Sequence, residues 1–186
     1  MLPATKYMEF CRIGDRKMFE DLYFDRRRRL NAFVMAECAQ YQGRFLDDII
    51  NGVMAICEES GWQLPAHNYY FNTETYCLPD SEEPVIDLFA AETAELLSMV
   101  SYLLKEELDE ISPVVTKRIH AEVGRRILVP YLGDKFHWMG GWSRGINNWT
   151  PWITQNVLIA LFSREDLTAH QQRLILYQAA KSLDYF

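Results

Sequence analysis

The sequence predicts an all-α fold of antiparallel helical hairpins forming part of an (α/α) toroid or superhelix, and three observations carry that prediction. Apolar residues recur three and four positions apart through most of the chain, no stretch is rich in strand-forming residues, and long connections alternate with short ones. Residues 1–23 give weak signals and read as an N-terminal extension of short helical or irregular pieces on the surface. The helical segment proper, an incomplete barrel, covers 24–186.

The first clear helix spans about Phe24 to Gln40, with Leu30, Phe33, Val34 and Cys38 on one stripe. A turn containing Gly43 leads into the second, about Arg44 to Glu59, whose Leu46, Ile49, Ile50, Val53, Met54 and Cys57 share a face. The third runs from about Val85 to Leu108. Its first half is apolar nearly all round, through Ile86, Leu88, Phe89, Ala90, Ala91, Ala94, Leu96 and Leu97, which predicts an inner helix covered on both sides. Ser112 and Pro113 read as N-cap and first residue of a fourth, outer helix with Val115, Ile119, Val123 and Ile127 on one stripe. An apolar fifth helix runs from Ile153 to Phe162. After a break at Ser163 to Glu165, an amphipathic sixth covers about Asp166 to Asp184.

At 186 residues, 49% of them hydrophobic, the chain has the length of one domain and ample material for a core. A net charge of −7 argues against nucleic acid or a membrane surface as partner, because the overall field repels both. The run Arg26 to Arg29 points all round a helix and reads as a solvated face carrying salt bridges. Cys11, Cys38, Cys57 and Cys77 are widely spaced with no C-x-x-C pair, so core thiols are expected, and no metal site or cofactor. No apolar run reaches the length needed to span a bilayer, and the N-terminus MLPATKYMEF lacks the regions of a signal peptide.

In an antiparallel array, alternate connections fall at the same end. The two long ones, 61–84 and 129–148, therefore share one rim. That rim collects Trp62, His67, Tyr69 and Tyr70 from the first loop and Trp138, Trp142, Arg144 and Asn148 from the second, and loops held by a rigid scaffold are where sites gather. The stretch WMGGWSRGINNWTPW, from Trp138 to Trp152, holds four of the chain's five tryptophans, an arginine and two adjacent asparagines. Aromatic plates beside amide donors suit sugars, whose rings have flat apolar faces and polar edges. The plainer reading is that Asn148 or Thr150 caps the helix, Pro151 occupies its first turn, and the tryptophans are core. His67 suits proton transfer or sugar contact, and equally a structural place in its loop. A glycosidase would need two carboxylates across a cleft. Asp80, Glu82, Glu83 and Asp134 lie on the rim loops, none in an aromatic setting that would raise its pKa.

Four segments in order, FLDDIINGVMAICEESGWQLPAHN, IDLFAAETAELLSMVSYLL, RIHAEVGRRILVPYL and GINNWTPWITQNVLIAL, resemble the N-terminal helical domain of heparinase II/III-like polysaccharide lyases. The resemblance implies a toroid followed by β-sheet domains, and cleavage of uronate-containing acidic polysaccharide by β-elimination. It places the asparagine that neutralises the uronate carboxylate at Asn148, with Asn156 as the alternative register. Trp149 stands where some members have histidine. Trp62, His67, Trp138, Trp142, Arg144, Trp149 and Trp152 become the expected sugar contacts, with Lys135 a further local cation. The family's catalytic tyrosine and histidine fall beyond Phe186. The 186 residues are therefore expected to be part of a longer chain or an abbreviated homologue, inactive alone. Periplasmic or secreted location is implied by the same resemblance. The competing classes are a glycoside hydrolase on this scaffold and a non-catalytic module whose exposed inner face associates with sugar, another protein or itself.

Overall fold

The computed structural model describes residues 2–68, 76–133, 136–140 and 147–186. The fold is all-α, with no strand among the described residues. In chain order the α-helices are α1 (Ala4–Ile13), α2 (Lys17–Gln40), α3 (Leu46–Cys57), α4 (Leu88–Leu103), α5 (Lys105–Ile111), α6 (Pro113–Val123), α7 (Val129–Leu132), α8 (Trp149–Phe162) and α9 (Ala169–Leu183). Short 3-10 turns occupy Pro65–His67 and His137–Met139.

The predicted hairpins form. α2 packs on α3, α4 on α6 and α8 on α9, while α4 touches α2 on one side and α8 on the other. With α3 against α6 and α7 against α9, the helices make two layers: α2, α4 and α8 in one, α3, α6–α7 and α9 in the other. α4 is the central element, as its all-round apolar character predicts. Its Ala90, Ala91, Ala94, Leu97 and Val100 are buried in one core with Ile153, Val157 and Ala160 of α8. Each such Leu or Ile contributes about 1.5–3 kcal/mol of hydrophobic burial.

Boundaries differ from the periodicity for local reasons. α2 begins at Lys17 because Asp15 Oδ1 accepts its backbone N–H at 2.8 Å, so the division at residues 23 and 24 falls inside this helix. Tyr7, Phe19, Tyr23 and Leu64 form a small second core, which makes the N-terminal segment part of the packing rather than a surface wrap. The predicted third helix breaks at Leu104 into α4 and α5. Between α2 and α3, the buried Glu37 carboxylate accepts backbone N–H groups of Gly43 (2.6 Å) and Phe45 (2.9 Å). Led by the Phe45 bond, these hold its pKa below the ordinary carboxylate value.

α6 runs into a π-helical turn, Gly124–Leu128, in which Val129 N–H reaches back to Gly124 O. Pro130 follows, with no N–H to offer a helical ladder. The turn directs Arg126 under the end of α3. Its Nη2 donates to Cys57 O (3.1 Å) and Glu59 O (2.6 Å), its Nε to Glu122 (2.7 Å), and its guanidinium lies 4.8 Å from the Trp62 ring centroid. A cation at a helix C-terminus satisfies carbonyls that have no helical donor. Arg126→Ala is expected to cost about 2–3 kcal/mol and lower the melting midpoint by roughly 5–10 °C. A thermal melt of the variant indistinguishable from wild type would refute this joint.

Of the arginine run, Arg28 and Arg29 pair with Asp25 on the surface, as the solvated reading expects, but Arg26 and Arg27 do not. Arg27 is buried over Tyr23, 3.3 Å from its ring centroid, and both Arg26 and Arg27 grip Glu59. The core-thiol expectation is corrected too. Cys11 and Cys77 form a disulfide and Cys38 is exposed, leaving Cys57 as the one cysteine sealed in the core.

Candidate functional site

The rim predicted from loop order is built around a buried carboxylate. Asp87 precedes α4 and its Oδ1 accepts Ala90 N–H at 2.7 Å, an N-cap. Its Oδ2 accepts Leu64 N–H at 3.0 Å and lies 2.6 Å from His67 Nδ1, so one fully buried side chain ties the first rim loop to the start of α4. The contact orients the His67 imidazole, which stacks on Phe89 (6.1 Å between centroids, 6° between planes) and meets the edge of Trp149 at 4.8 Å. Trp149 is half-buried and also faces His137 at 5.7 Å.

At the start of α8, Asn147 does the capping expected of Asn148 or Thr150. Its Oδ1 accepts Trp149 N–H at 2.9 Å and its carbonyl accepts Thr150 N–H at 3.1 Å. Asn148 is exposed and its side chain makes no cap hydrogen bond. The Thr150 hydroxyl turns inward to Trp138 O. Trp152 is 41% exposed and donates Nε1–H to Glu92 at 2.9 Å. Asn156, the alternative register, is buried one helical turn further in, where its Nδ2 donates to Trp152 O at 3.0 Å.

Two expected sugar contacts are corrected. Trp62 and Trp138 are 1% and 0% exposed, and their indole N–H groups are committed to Ile56 O and Ile86 O, both at 3.0 Å. Trp138 stacks between Phe136 (5.5 Å) and Tyr131 (6.1 Å). These rings are core because the rim loops carry their own hydrophobic anchors, and a sealed indole offers no face to a ligand. Gly140 closes this anchor with φ +79°, and a Cβ there would meet Tyr185 Cβ at 2.6 Å, so only glycine fits without a shift. Tyr69, Tyr70, Asp134, Lys135, Trp142 and Arg144 lie outside the described residues.

From the rim a groove of about 590 Å³ runs across α2, α4 and α8. Asn156, Glu92 and Glu95 line it, together with Arg28, Asn31 and Phe89. Burial pushes the Glu92 carboxyl up, with the Trp152 N–H opposing. Burial and then Glu92 push Glu95 up. Sequence reasoning passed over both glutamates and Asp87. Their signal was there: carboxylates on a helix otherwise apolar all round. Among the described residues no group of three His, Cys, Asp or Glu side chains is placed to hold a metal, and no helix is long and apolar enough to cross a membrane.

At the opposite end, Ser101 Oγ lies 3.0 Å from His120 Nε2, and His120 Nδ1 lies 3.4 Å from Asp166, the order of a serine-hydrolase relay. The chemistry does not follow. Ser101 is 2% exposed, and the nearby N–H groups of Leu104, Ser163 and Arg164 are already bonded to helix carbonyls, so none can receive an oxyanion. The cluster is a clasp instead, with Arg164 donating to both His120 O and Asp166. Burial lowers the His120 pKa from its ordinary 6.5; Asp166 opposes this and Arg164 adds to it. The folded state therefore binds this proton more weakly than the unfolded chain. Its stability contribution is complete above pH 6.5 and is lost as pH falls from there towards the lowered folded value. Melts of wild type and His120→Gln between pH 8 and about 5 should show that decline only in wild type. A decline of the same size in both would remove His120 as its source.

No protein-family model matches the chain, and no curated protein matches it.

Proposed function

We propose that this chain is the helical, sugar-binding part of a heparinase II/III-like polysaccharide lyase, its two helical layers being part of an (α/α) toroid. On this reading the parent lyase cleaves uronate-containing polysaccharide by β-elimination, and this helical part, inactive alone, supplies the amide that neutralises the uronate carboxylate. One observation carries the reading: Asn147 takes the capping role, so the Asn148 amide is left exposed at the start of α8, next in sequence to Trp149, whose ring meets the Asp87-oriented His67. Elimination passes the C5 proton of a uronate to a base, forms the C4–C5 double bond and expels the oxygen at C4, which an acid protonates; the resemblance gives those two roles to the tyrosine and histidine that fall beyond Phe186. Negative charge grows on the carboxylate in the transition state, and an amide N–H aimed at those oxygens stabilises it where it appears. An amide does so without the desolvation cost of a buried cation. Trp152 and Trp149 supply apolar surface for the sugar ring, and the groove across α2, α4 and α8 extends from the same rim.

Glycoside hydrolysis is less well supported. Glu92 and Glu95 are the groove carboxylates with raised pKa, yet both sit on α4 one turn apart rather than across the groove from one another. Of the rim acids, Asp80, Glu82 and Glu83 are exposed, and Asp80 is occupied in accepting Glu82 N–H.

The test is to incubate the product of the full reading frame with heparan, alginate and hyaluronan. Both ultraviolet absorbance of unsaturated uronate and new reducing ends are followed. Both should rise together on at least one polymer. Reducing ends without the absorbance would replace elimination by hydrolysis, and neither signal on any uronan would sink the lyase reading.

A further inference from the structure

The first rim loop is held at its base by two devices that the site itself does not use. The Asn68 side chain is a buried cross-brace. Its Oδ1 accepts Gln63 Nε2–H at 2.9 Å, and its Nδ2 donates to Tyr76 O (2.9 Å) and Leu78 O (3.1 Å), tying residues 63–68 to 76–78. The second device is covalent: Cys77, between those two carbonyls in sequence, is bonded to Cys11 on α1, across 66 residues of chain. α1 is anchored in turn against the 3-10 turn that bears His67, and Tyr7 Oη–H reaches Gln63 O at 3.4 Å. Besides packing on α2 through Tyr7 and Phe19, α1 therefore reaches residues 63–67 and the loop segment that Asn68 clamps to them.

We propose that α1 and the Cys11–Cys77 disulfide form a positioning strut that fixes the base of the rim loop, and with it the His67 ring against Trp149. The strut is set by redox state. Both sulfurs belong to partly exposed residues, so a small thiol reaches them. Reduction by dithiothreitol delivers two electrons and two protons, breaks the S–S bond and leaves two thiols plus one cyclic oxidised dithiothreitol. Glutathione disulfide reverses it, forming the protein disulfide and releasing two glutathione thiols. A disulfide that persists on the protein surface belongs to an oxidising compartment, so the rim is set for use there and slackens under cytosolic reduction. Closure of so long a loop also restricts the unfolded chain.

The experiment uses the 186-residue chain and no polysaccharide, so its outcome is independent of the lyase reading. Protein oxidised with glutathione disulfide, then alkylated in denaturant, should carry two modified cysteines, Cys38 and Cys57, and four after reduction. Reduction should lower the melting midpoint by roughly 5–15 °C. Below that midpoint it should speed amide exchange at residues 62–68 and 76–78 by about tenfold or more, leaving α4 and α8 protected. The His67 ring resonances should move with it and return on reoxidation. Cys77→Ser should reproduce the reduced state. If that variant fails to fold, dithiothreitol added to folded wild type gives the same readout. Four alkylatable cysteines in the oxidised protein would overturn the proposal. So would a His67 signal and loop exchange that reduction leaves unchanged.

Discussion

Asp87→Ala is expected to destabilise the protein by about 3–5 kcal/mol, the sum of a lost N-cap and of buried donors left without an acceptor. The carboxylate is fully buried and serves three groups: Ala90 N–H, Leu64 N–H and the His67 ring. Water cannot take its place at Leu64, which is itself fully buried. The melting midpoint should fall by roughly 10 °C or more. Asp87→Asn should lie between, since an amide keeps one acceptor oxygen but offers the second backbone donor another donor. A further signature follows from the geometry: the alanine variant should lose the ordered His67–Trp149 contact, read as a displacement of the His67 ring resonances from their wild-type positions. An alanine variant as stable as wild type would mean that this carboxylate does not organise the rim.

Asn148→Ala is expected to lower turnover on the preferred uronan by about 10²–10³-fold in the full reading-frame product, the effect of removing one transition-state donor. Because the residue is exposed and caps nothing with its side chain, the melting midpoint should stay within a degree or two of wild type. Ground-state affinity should change far less than turnover, as befits an interaction that strengthens while charge develops. The same substitution at Asn156 separates the two registers. That amide is buried and donates to Trp152 O, so Asn156→Ala should cost stability first. Retained turnover in Asn148→Ala, or loss confined to Asn156→Ala, would move the carboxylate-neutralising role off Asn148.

Periodicity located the hairpins because each helix buries one stripe, and a stripe is written in spacing alone: Leu30 and Val34 on α2, Ile49 and Val53 on α3, Ile119 and Val123 on α6 all face the core. It missed the early start of α2, which depends on a single hydrogen bond from Lys17 N–H to the Asp15 carboxylate, and the division of α4 from α5 at Leu104. The rim was legible from loop order, and the structure brings His67, Trp149 and Asn148 to it. Which tryptophans serve the core was not legible. Trp62 and Trp138 are of the same residue type as Trp149 and Trp152 and belong to the same rim, and spacing alone does not tell which indoles find a buried carbonyl and which stay open at the start of α8. The disulfide was hidden for a related reason, since Cys11 and Cys77 become neighbours only once α1 folds back over the first rim loop.

By itself the sequence determined that the chain is helical, that α4 is the covered central helix, and that the aromatic loops meet at one end. All three follow from local patterns repeated over many residues. Only the tertiary structure decided that Asn147 rather than Asn148 caps α8, that Asp87 is the pivot of the rim, and which side chains are sealed or open. The cap is a choice between adjacent residues that the turn geometry settles, while the others turn on one or two contacts between segments far apart in the chain, and neither kind leaves a period for a sequence to display.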